Sequence, residues 1–142
     1  MRRLNRSASE ALVATGLTGA TDVTGFGLLG HALEMARASG TRFVFESAAL
    51  PALDGALDLA TAGVETGGAA HNRRYVADAL EVGLGVPSEL VTLAHDPQTS
   101  GGLLATVPEA LVGTVETGLA DRGVERWWIG HVEAGEPGVA LV

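Results

Sequence analysis

The alternation of apolar and polar positions along the chain predicts several helices. The clearest covers residues 27–39, where apolar residues recur every three to four positions and Gly40 follows as a C-cap. The first helix is predicted to begin at Ser7, because Ser7 and Glu10 have the spacing of a capping box. The remaining helices are predicted over 53–62, within 67–80, over 87–93 and over 108–122.

Shorter apolar runs between these segments predict strands at 20–24, 41–46, 103–107, 126–132 and 138–142. Phe43 and Phe45 fall on one face of the second strand, and Trp127 and Trp128 fall on opposite faces of the fourth. We therefore expect one tryptophan in the core and the other at an interface. Because helices and strands mix without strict βαβ alternation, the pattern predicts an α+β fold, with helices packed on one mixed sheet. No linker divides the chain, so residues 1–142 are expected to form a single domain.

Composition removes several kinds of chemistry from consideration. The chain of 142 residues has no cysteine, and its nine basic residues are all arginine. Disulfides, thiolate nucleophiles, cysteine metal sites, lysine Schiff bases and a phosphate-binding lysine are therefore excluded. The net charge of −8 argues against nucleic acid and anionic membranes as partners. No signal peptide and no apolar run of membrane-spanning length is evident, so we expect a cytoplasmic protein with no membrane partner.

The segment TDVTGFGLLGH at 21–31 carries the densest glycine motif. Its G-x-G-x-x-G spacing from Gly25 to Gly30 matches a dinucleotide fingerprint, and Glu46 follows about twenty residues later, where a ribose-binding acid belongs. One alternative is therefore an NAD(P)-binding Rossmann-type oxidoreductase domain. Against it, the preceding extended piece carries two threonines and Asp22, which suit a central parallel strand poorly.

The same residues also suit a metal–phosphate site. Asp22 precedes a glycine turn and a predicted helix N-terminus, where backbone N–H groups favour anions. A carboxylate at such a turn can hold Mg²⁺ against a nucleotide phosphate. The alternative is structural, with Asp22 capping the turn and the glycines permitting tight packing.

Two further polar clusters leave their roles open. HDPQTSGG at 95–102 places Thr99, Ser100 and Gly101 before a strand, either at an anion or domain interface or in an ordinary turn. Arg73 and Arg74 could contact phosphate, or they could form an exposed, ion-paired loop.

Several motifs together resemble one enzyme family. ATDVTGFGLLGH at 20–31, NRRY at 72–75, DPQTSGGLL at 96–104 and WWIGHVEAG at 127–135 resemble, in the same order, the C-terminal domain of selenophosphate synthetase (selenide, water dikinase). That family belongs to the aminoimidazole ribonucleotide synthetase-like ATP-binding superfamily, so the resemblance implies an α+β domain of this type. The resemblance covers nearly the whole chain.

The resemblance implies a function and a division of labour. The family's enzymes make selenophosphate from ATP, selenide and water, release AMP and phosphate, and require Mg²⁺. Their nucleophile, catalytic lysine and most metal-binding aspartates lie in an N-terminal ATP-binding domain that this sequence does not contain, and the full enzyme is expected to be a homodimer.

For this chain, the resemblance implies that Asp22 is a Mg²⁺ ligand. Thr24, Gly25 and Gly27 are expected as its neighbours beside ATP because they lie at the predicted helix N-terminus, not because of the resemblance. The domain alone is expected to be inactive. A noncatalytic interaction module remains a further alternative.

Overall fold

A mixed sheet of four short strands organises most of the chain in the computed structural model, which describes residues 4–142. Its strands are β2 (Thr41–Phe45), β3 (Leu80–Val82), β5 (Gly130–Ala134) and β6 (Gly138–Leu141). Their order in the sheet is β3–β6–β2–β5. The first three strands in this order run parallel, and β5 pairs antiparallel with β2.

A separate two-stranded antiparallel ribbon pairs β1 (Ala20–Asp22) with β4 (Leu103–Ala105). Asp22 is the last residue of β1 and lies opposite Leu103. The register of this ribbon therefore sets the point from which the chain enters the glycine-rich turn.

Helices pack around both sheets. They are α1 (Arg6–Ala14), α2 (Gly27–Ser39), α3 (Ala56–Thr61), α4 (Gly67–Val76), α5 (Ser88–His95) and α6 (Val112–Ala120). Single 3₁₀ turns cover Ser47–Ala49, Ala77–Ala79 and Glu109–Leu111. Among residues 4–142, no helix combines the length and apolar character needed to cross a bilayer.

The core consists of two apolar clusters. In the larger, the buried stripe of α2 packs against β2 and β6, and its members include Leu29, Leu33, Phe43, Val139 and Leu141. The smaller lies between α1 and α6 and contains Ala11, Leu12, Val115 and Leu119. The apolar stripe of α2 and the inward-facing residues of β2 are thus buried against each other. Helices packed on a mixed sheet in this way confirm the predicted α+β class.

Two sequence predictions about local signals were wrong. The helix that was expected to begin at Ser7 begins at Arg6, and Glu10 pairs with Arg6 at 2.9 Å across one helical turn. The strand expected over 126–132 begins only at Gly130, so both tryptophans precede it and both are exposed. Trp128 is held by its indole N–H, which donates to Glu116 at 3.0 Å.

Other boundaries also moved. The third helix covers only Ala56–Thr61, and α4 begins at Gly67, where a loop was expected to precede the helix. The pattern missed β3, a three-residue edge strand in which Leu80 is half-buried and Glu81 and Val82 are exposed. So short a segment carries too little alternation to be recognised.

Leu33 provides a test of the larger cluster, since its side chain is fully buried. We expect Leu33→Ala to lower the free energy of unfolding by about 2–5 kcal/mol, because the lost methyl groups leave a cavity. Urea denaturation would measure this loss. The control is Leu59→Ala on an exposed face of α3, for which a change within about 0.5 kcal/mol is expected. A similar loss in both variants would contradict the assigned core.

Candidate functional site

Two loops lie side by side at the N-terminal end of α2. Residues 22–27 form what we call the aspartate loop, and residues 95–102 form the facing loop. The Val23 amide donates to the Gly102 carbonyl at 2.9 Å, and the Gly101 amide donates back to Val23 at 3.0 Å. The Gln98 amide donates to the Thr24 carbonyl at 2.9 Å. The two motifs singled out in the sequence therefore form one backbone-paired unit.

Helix α4 adds a side-chain link between the same two loops. Asn72 is 2% exposed, and its amide nitrogen donates to the Gly25 and His95 carbonyls, each at 2.9 Å. Both amide hydrogens are thus used, one on each loop. In the sequence, Asn72 stands out only as the first residue of the NRRY motif. A signal was present, because Ala69, Asn72 and Val76 share helical spacing, which predicts that all three are buried.

Close packing explains the glycine motif. Gly27 has φ +67°, and a Cβ at this position would lie 2.8 Å from the His95 carbonyl oxygen. A Cβ on Gly30 would lie 2.7 Å from the Cβ of Phe26. Glycine is therefore required at position 27 for packing against the facing loop, and at position 30 for packing against the Phe26 side chain at the start of the same helix.

The strand pairing excludes the Rossmann alternative. In a dinucleotide-binding unit, the strands that flank the glycine-rich helix are parallel members of one sheet. Here β1 pairs antiparallel with β4, whereas β2 lies in the other sheet. The G-x-G-x-x-G match is thus not part of a βαβ unit.

Asp22 is exposed and opens onto a cleft of about 510 Å³ between α1 and the ribbon. Within residues 4–142, no side chain forms an ion pair or hydrogen bond with its carboxylate. Among these residues, the Asp22 carboxylate thus makes no capping contact of the kind that the structural alternative requires. Other polar residues that line the cleft are Asn5, Arg6, Ser9 and Thr21.

The Asp22 carboxylate has the chemistry of a hard-cation ligand, but it stands alone. Carboxylate oxygens are what Mg²⁺ prefers, and Mg²⁺ often takes only one or two of them together with water and substrate phosphates. In the described part of the chain, three or more acidic, histidine or cysteine side chains nowhere gather to hold a metal. The residues present fit one side of a magnesium site, and further ligands would have to come from outside this domain.

The other predicted site residues lie in different surroundings. Thr24 and Gly25 line a second cleft of about 400 Å³ together with Phe26, His31 and His71. The Thr24 hydroxyl forms a 3.0 Å hydrogen bond with Nε2 of His31. Gly27 is buried against the facing loop. The aspartate loop therefore presents Asp22 to one cleft and Thr24 to another.

The structure also shows the surroundings of the facing loop and of the two arginines, Arg73 and Arg74. Thr99 and Ser100 are exposed, whereas the Gly101 amide is already bonded to Val23. Arg73 lies on α4, where it pairs with Glu65 at 2.8 Å and donates to Thr92. Arg74 is exposed on the same helix. Arg73 thus has a structural partner, and the pair lies on a helix instead of the expected loop.

Comparison with known proteins identifies the relatives of this domain. The family model described as AIR synthase related protein, C-terminal domain, matches residues 1–142. The chain is 42% identical over 136 residues to a selenide, water dikinase of Nitratidesulfovibrio vulgaris (strain Miyazaki F). It is 41% identical over 138 residues to the selenide, water dikinase of Pseudomonas straminea. Each match covers 96% of this chain but only 39% of the relative, so the chain spans about two fifths of these relatives' length.

Gly27 and Gly25 form a matched pair for testing the packing of the aspartate loop. We expect Gly27→Ala to destabilise the fold by at least about 1–2 kcal/mol, because a side chain at positive φ is strained and its Cβ would press on His95. A Cβ at Gly25 has no neighbour within 4 Å, so Gly25→Ala should change the unfolding free energy far less. Equal losses in urea denaturation would contradict the proposed contact.

His95 gives the fold a dependence on pH. Burial holds the pKa of its imidazole below the ordinary value of 6.5, and the positive charge of Arg73 acts in the same direction, against the raising effect of the Val91 carbonyl. Below pH 6.5 the unfolded chain binds a proton that the folded chain resists. The free energy of unfolding therefore falls by up to about 1.4 kcal/mol for each pH unit below 6.5. Above pH 6.5 the imidazole is neutral in both states, and this contribution to the pH dependence vanishes.

The matching experiment is urea denaturation of His95→Gln and the unchanged chain at pH 7.5 and pH 5.5. The variant loses the bond to Val91, so we expect it to be less stable at pH 7.5 and this deficit to shrink at pH 5.5. The exposed His71→Gln serves as control and should show no such shrinkage. A constant deficit for His95→Gln would show that the folded chain tolerates the charged imidazole.

Proposed function

Because the chain belongs to the family of AIR synthase related protein C-terminal domains, we propose that it serves as the C-terminal domain of a selenophosphate synthetase. The complete enzyme would make selenophosphate from ATP, selenide and water, with release of AMP and phosphate. The proposal is supported by identities above 40% to proteins named selenide, water dikinase over 96% of this chain. Because ATP, the phosphate donor, is a cytoplasmic metabolite, we place the enzyme in the cytoplasm.

The domain's own contribution is one side of an ATP–Mg²⁺ site. The single observation that carries this assignment is the exposed Asp22 carboxylate, which opens onto a cleft without an ion-pair partner among residues 4–142. When bound there, Mg²⁺ would neutralise phosphate charge during phosphoryl transfer. Asp22 supplies a fixed negative ligand, and the ribbon and the facing loop hold its backbone in place.

The remaining parts of the site belong to a partner domain. A single carboxylate can neither orient nor neutralise a triphosphate, and this chain offers no lysine or cysteine for the task. Relatives that are more than twice as long leave room for an N-terminal ATP-binding domain. Thr24, Gly25 and Gly27 would then act as neighbours of the nucleotide, with Gly27 in a supporting position because it is buried.

Asp22→Asn tests this assignment. We expect selenide-dependent AMP formation to fall about 10- to 100-fold or more at fixed Mg²⁺, since even an outer-sphere partner of a metal is worth that much. The measurement requires the N-terminal domain of a related enzyme, fused or supplied in trans. Asp54→Asn is the matched control, because Asp54 is an exposed aspartate that lines neither cleft.

The outcomes separate the possible functions. Equal rates for Asp22→Asn and the unchanged domain would refute the metal-ligand role. If the unchanged domain yields no AMP with any complementing N-terminal domain, a noncatalytic interaction module becomes the better explanation.

A further inference from the structure

We propose that Asn72 is a positioning residue for the Asp22 carboxylate. Its side chain links the aspartate loop to the facing loop and thereby fixes where Asp22 meets the metal–nucleotide complex. This inference rests on the proposed function, since it assigns to Asn72 the task of placing the ligand proposed there.

The burial of Asn72 makes its two hydrogen bonds consequential. A buried carbonyl without a donor is costly, and the Asn72 amide satisfies the buried carbonyl of His95 and the part-buried carbonyl of Gly25. The two N–H bonds of an amide diverge at a fixed angle in one plane. Asn72 therefore fixes the separation of the two loops as well as their contact.

This link restrains the end of the aspartate loop that the ribbon does not reach. At the other end, the loop continues β1, where Asp22 pairs with Leu103 and Val23 exchanges two hydrogen bonds with the facing loop. Towards α2, the loop is fixed by the Asn72–Gly25 bond and by Gly27, which packs on the same His95 carbonyl. Removing Asn72 would leave this half of the loop free to shift relative to the facing loop.

Asp22 depends on its backbone for its position. No side chain of residues 4–142 pairs with its carboxylate, so its position follows from the backbone, which the ribbon holds before Asp22 and the Asn72–Gly25 bond holds after it. Asn72 itself is buried on α4 and lines the second cleft beside Thr24 and Gly25, but not the Asp22 cleft. Its effect on the ligand would therefore be transmitted through the backbone of the loop.

Amide hydrogen exchange on the 142-residue chain tests the link without any enzyme assay. Asn72→Leu keeps the shape of the side chain and removes both donors, and Asn72→Asp places an acceptor opposite two carbonyls. We expect exchange at the Val23, Gln98 and Gly101 amides to accelerate about tenfold or more, because these amides bond across the two loops. The reference is exchange at the Ser47 and Val142 amides, which extend the pairing of β2 with β6 and should change less.

Val115→Ala is the matched control, because it removes buried volume from the other cluster, between α1 and α6. Any rise in amide exchange that it causes should be no larger at the three loop amides than at Ser47 and Val142. If exchange in the Asn72 variants rises equally in the loops and the sheet, the positioning role is refuted. Failure of both variants to fold would also refute it, since Asn72 would then support the fold as a whole.

A second measurement uses the complemented enzyme. We expect Asn72→Leu to raise the Mg²⁺ concentration for half-maximal AMP formation about tenfold. The KM for ATP at saturating Mg²⁺ is measured in parallel, because Asn72 lines the second cleft beside Thr24 and Gly25 and not the Asp22 cleft. A raised KM for ATP with an unchanged Mg²⁺ dependence would assign Asn72 to the nucleotide and overturn the inference. A general loss of folded enzyme would lower kcat without moving the Mg²⁺ dependence, and that result would overturn the inference.

Asp22→Asn, measured in parallel, separates this inference from the proposed function. If Asp22→Asn shifts the Mg²⁺ dependence and Asn72→Leu does not, only the positioning role fails. If Asp22→Asn causes no shift, the metal-ligand proposal fails, whatever hydrogen exchange shows for the loops.

Discussion

The aspartate loop depends on hydrogen bonds to segments that are distant in the chain. Its carbonyls at Val23 and Thr24 accept from the facing loop, and its carbonyl at Gly25 accepts from Asn72. Backbone groups removed from water must be paired, so these bonds decide the path of the loop. Because Asp22 stands at the start of this loop, its position follows from the same bonds.

The remaining architecture brings these segments together. The ribbon fixes Asp22 opposite Leu103, and α2 carries the loop into the larger apolar cluster. Glycine at position 27 allows the helix start to approach the His95 carbonyl, where a side chain would not fit. The result is a restrained loop that presents one unpaired carboxylate among the residues described. Such an arrangement suits half of a metal–nucleotide site, in which a second domain brings the other ligands.

The sequence predicted elements well where many residues agreed. Helix α2 has the predicted bounds because its apolar stripe is long and Gly40 ends it in a left-handed conformation. Single-residue signals were less reliable. Ser7 matched a capping box, yet the helix begins one residue earlier, and the apolar run with Trp127 suggested a strand where the chain instead packs on α6 through Trp128. At α1 the competing interaction is local, because Glu10 pairs with Arg6 one turn away, whereas Trp128 bonds to Glu116 on a different element.

The sequence by itself determined the α+β class, the buried stripe of α2, the exclusion of thiol and lysine chemistry, and Asp22 as the candidate ligand. Only the tertiary structure decided that the two motifs pair, that Asp22 and Thr24 open onto different clefts, and that Asn72 joins the loops. The physical reason is the range of the interactions. Periodicity and turn chemistry act over a few residues, whereas Asn72 bonds to residues 47 and 23 positions away, whose proximity exists only after the chain has folded.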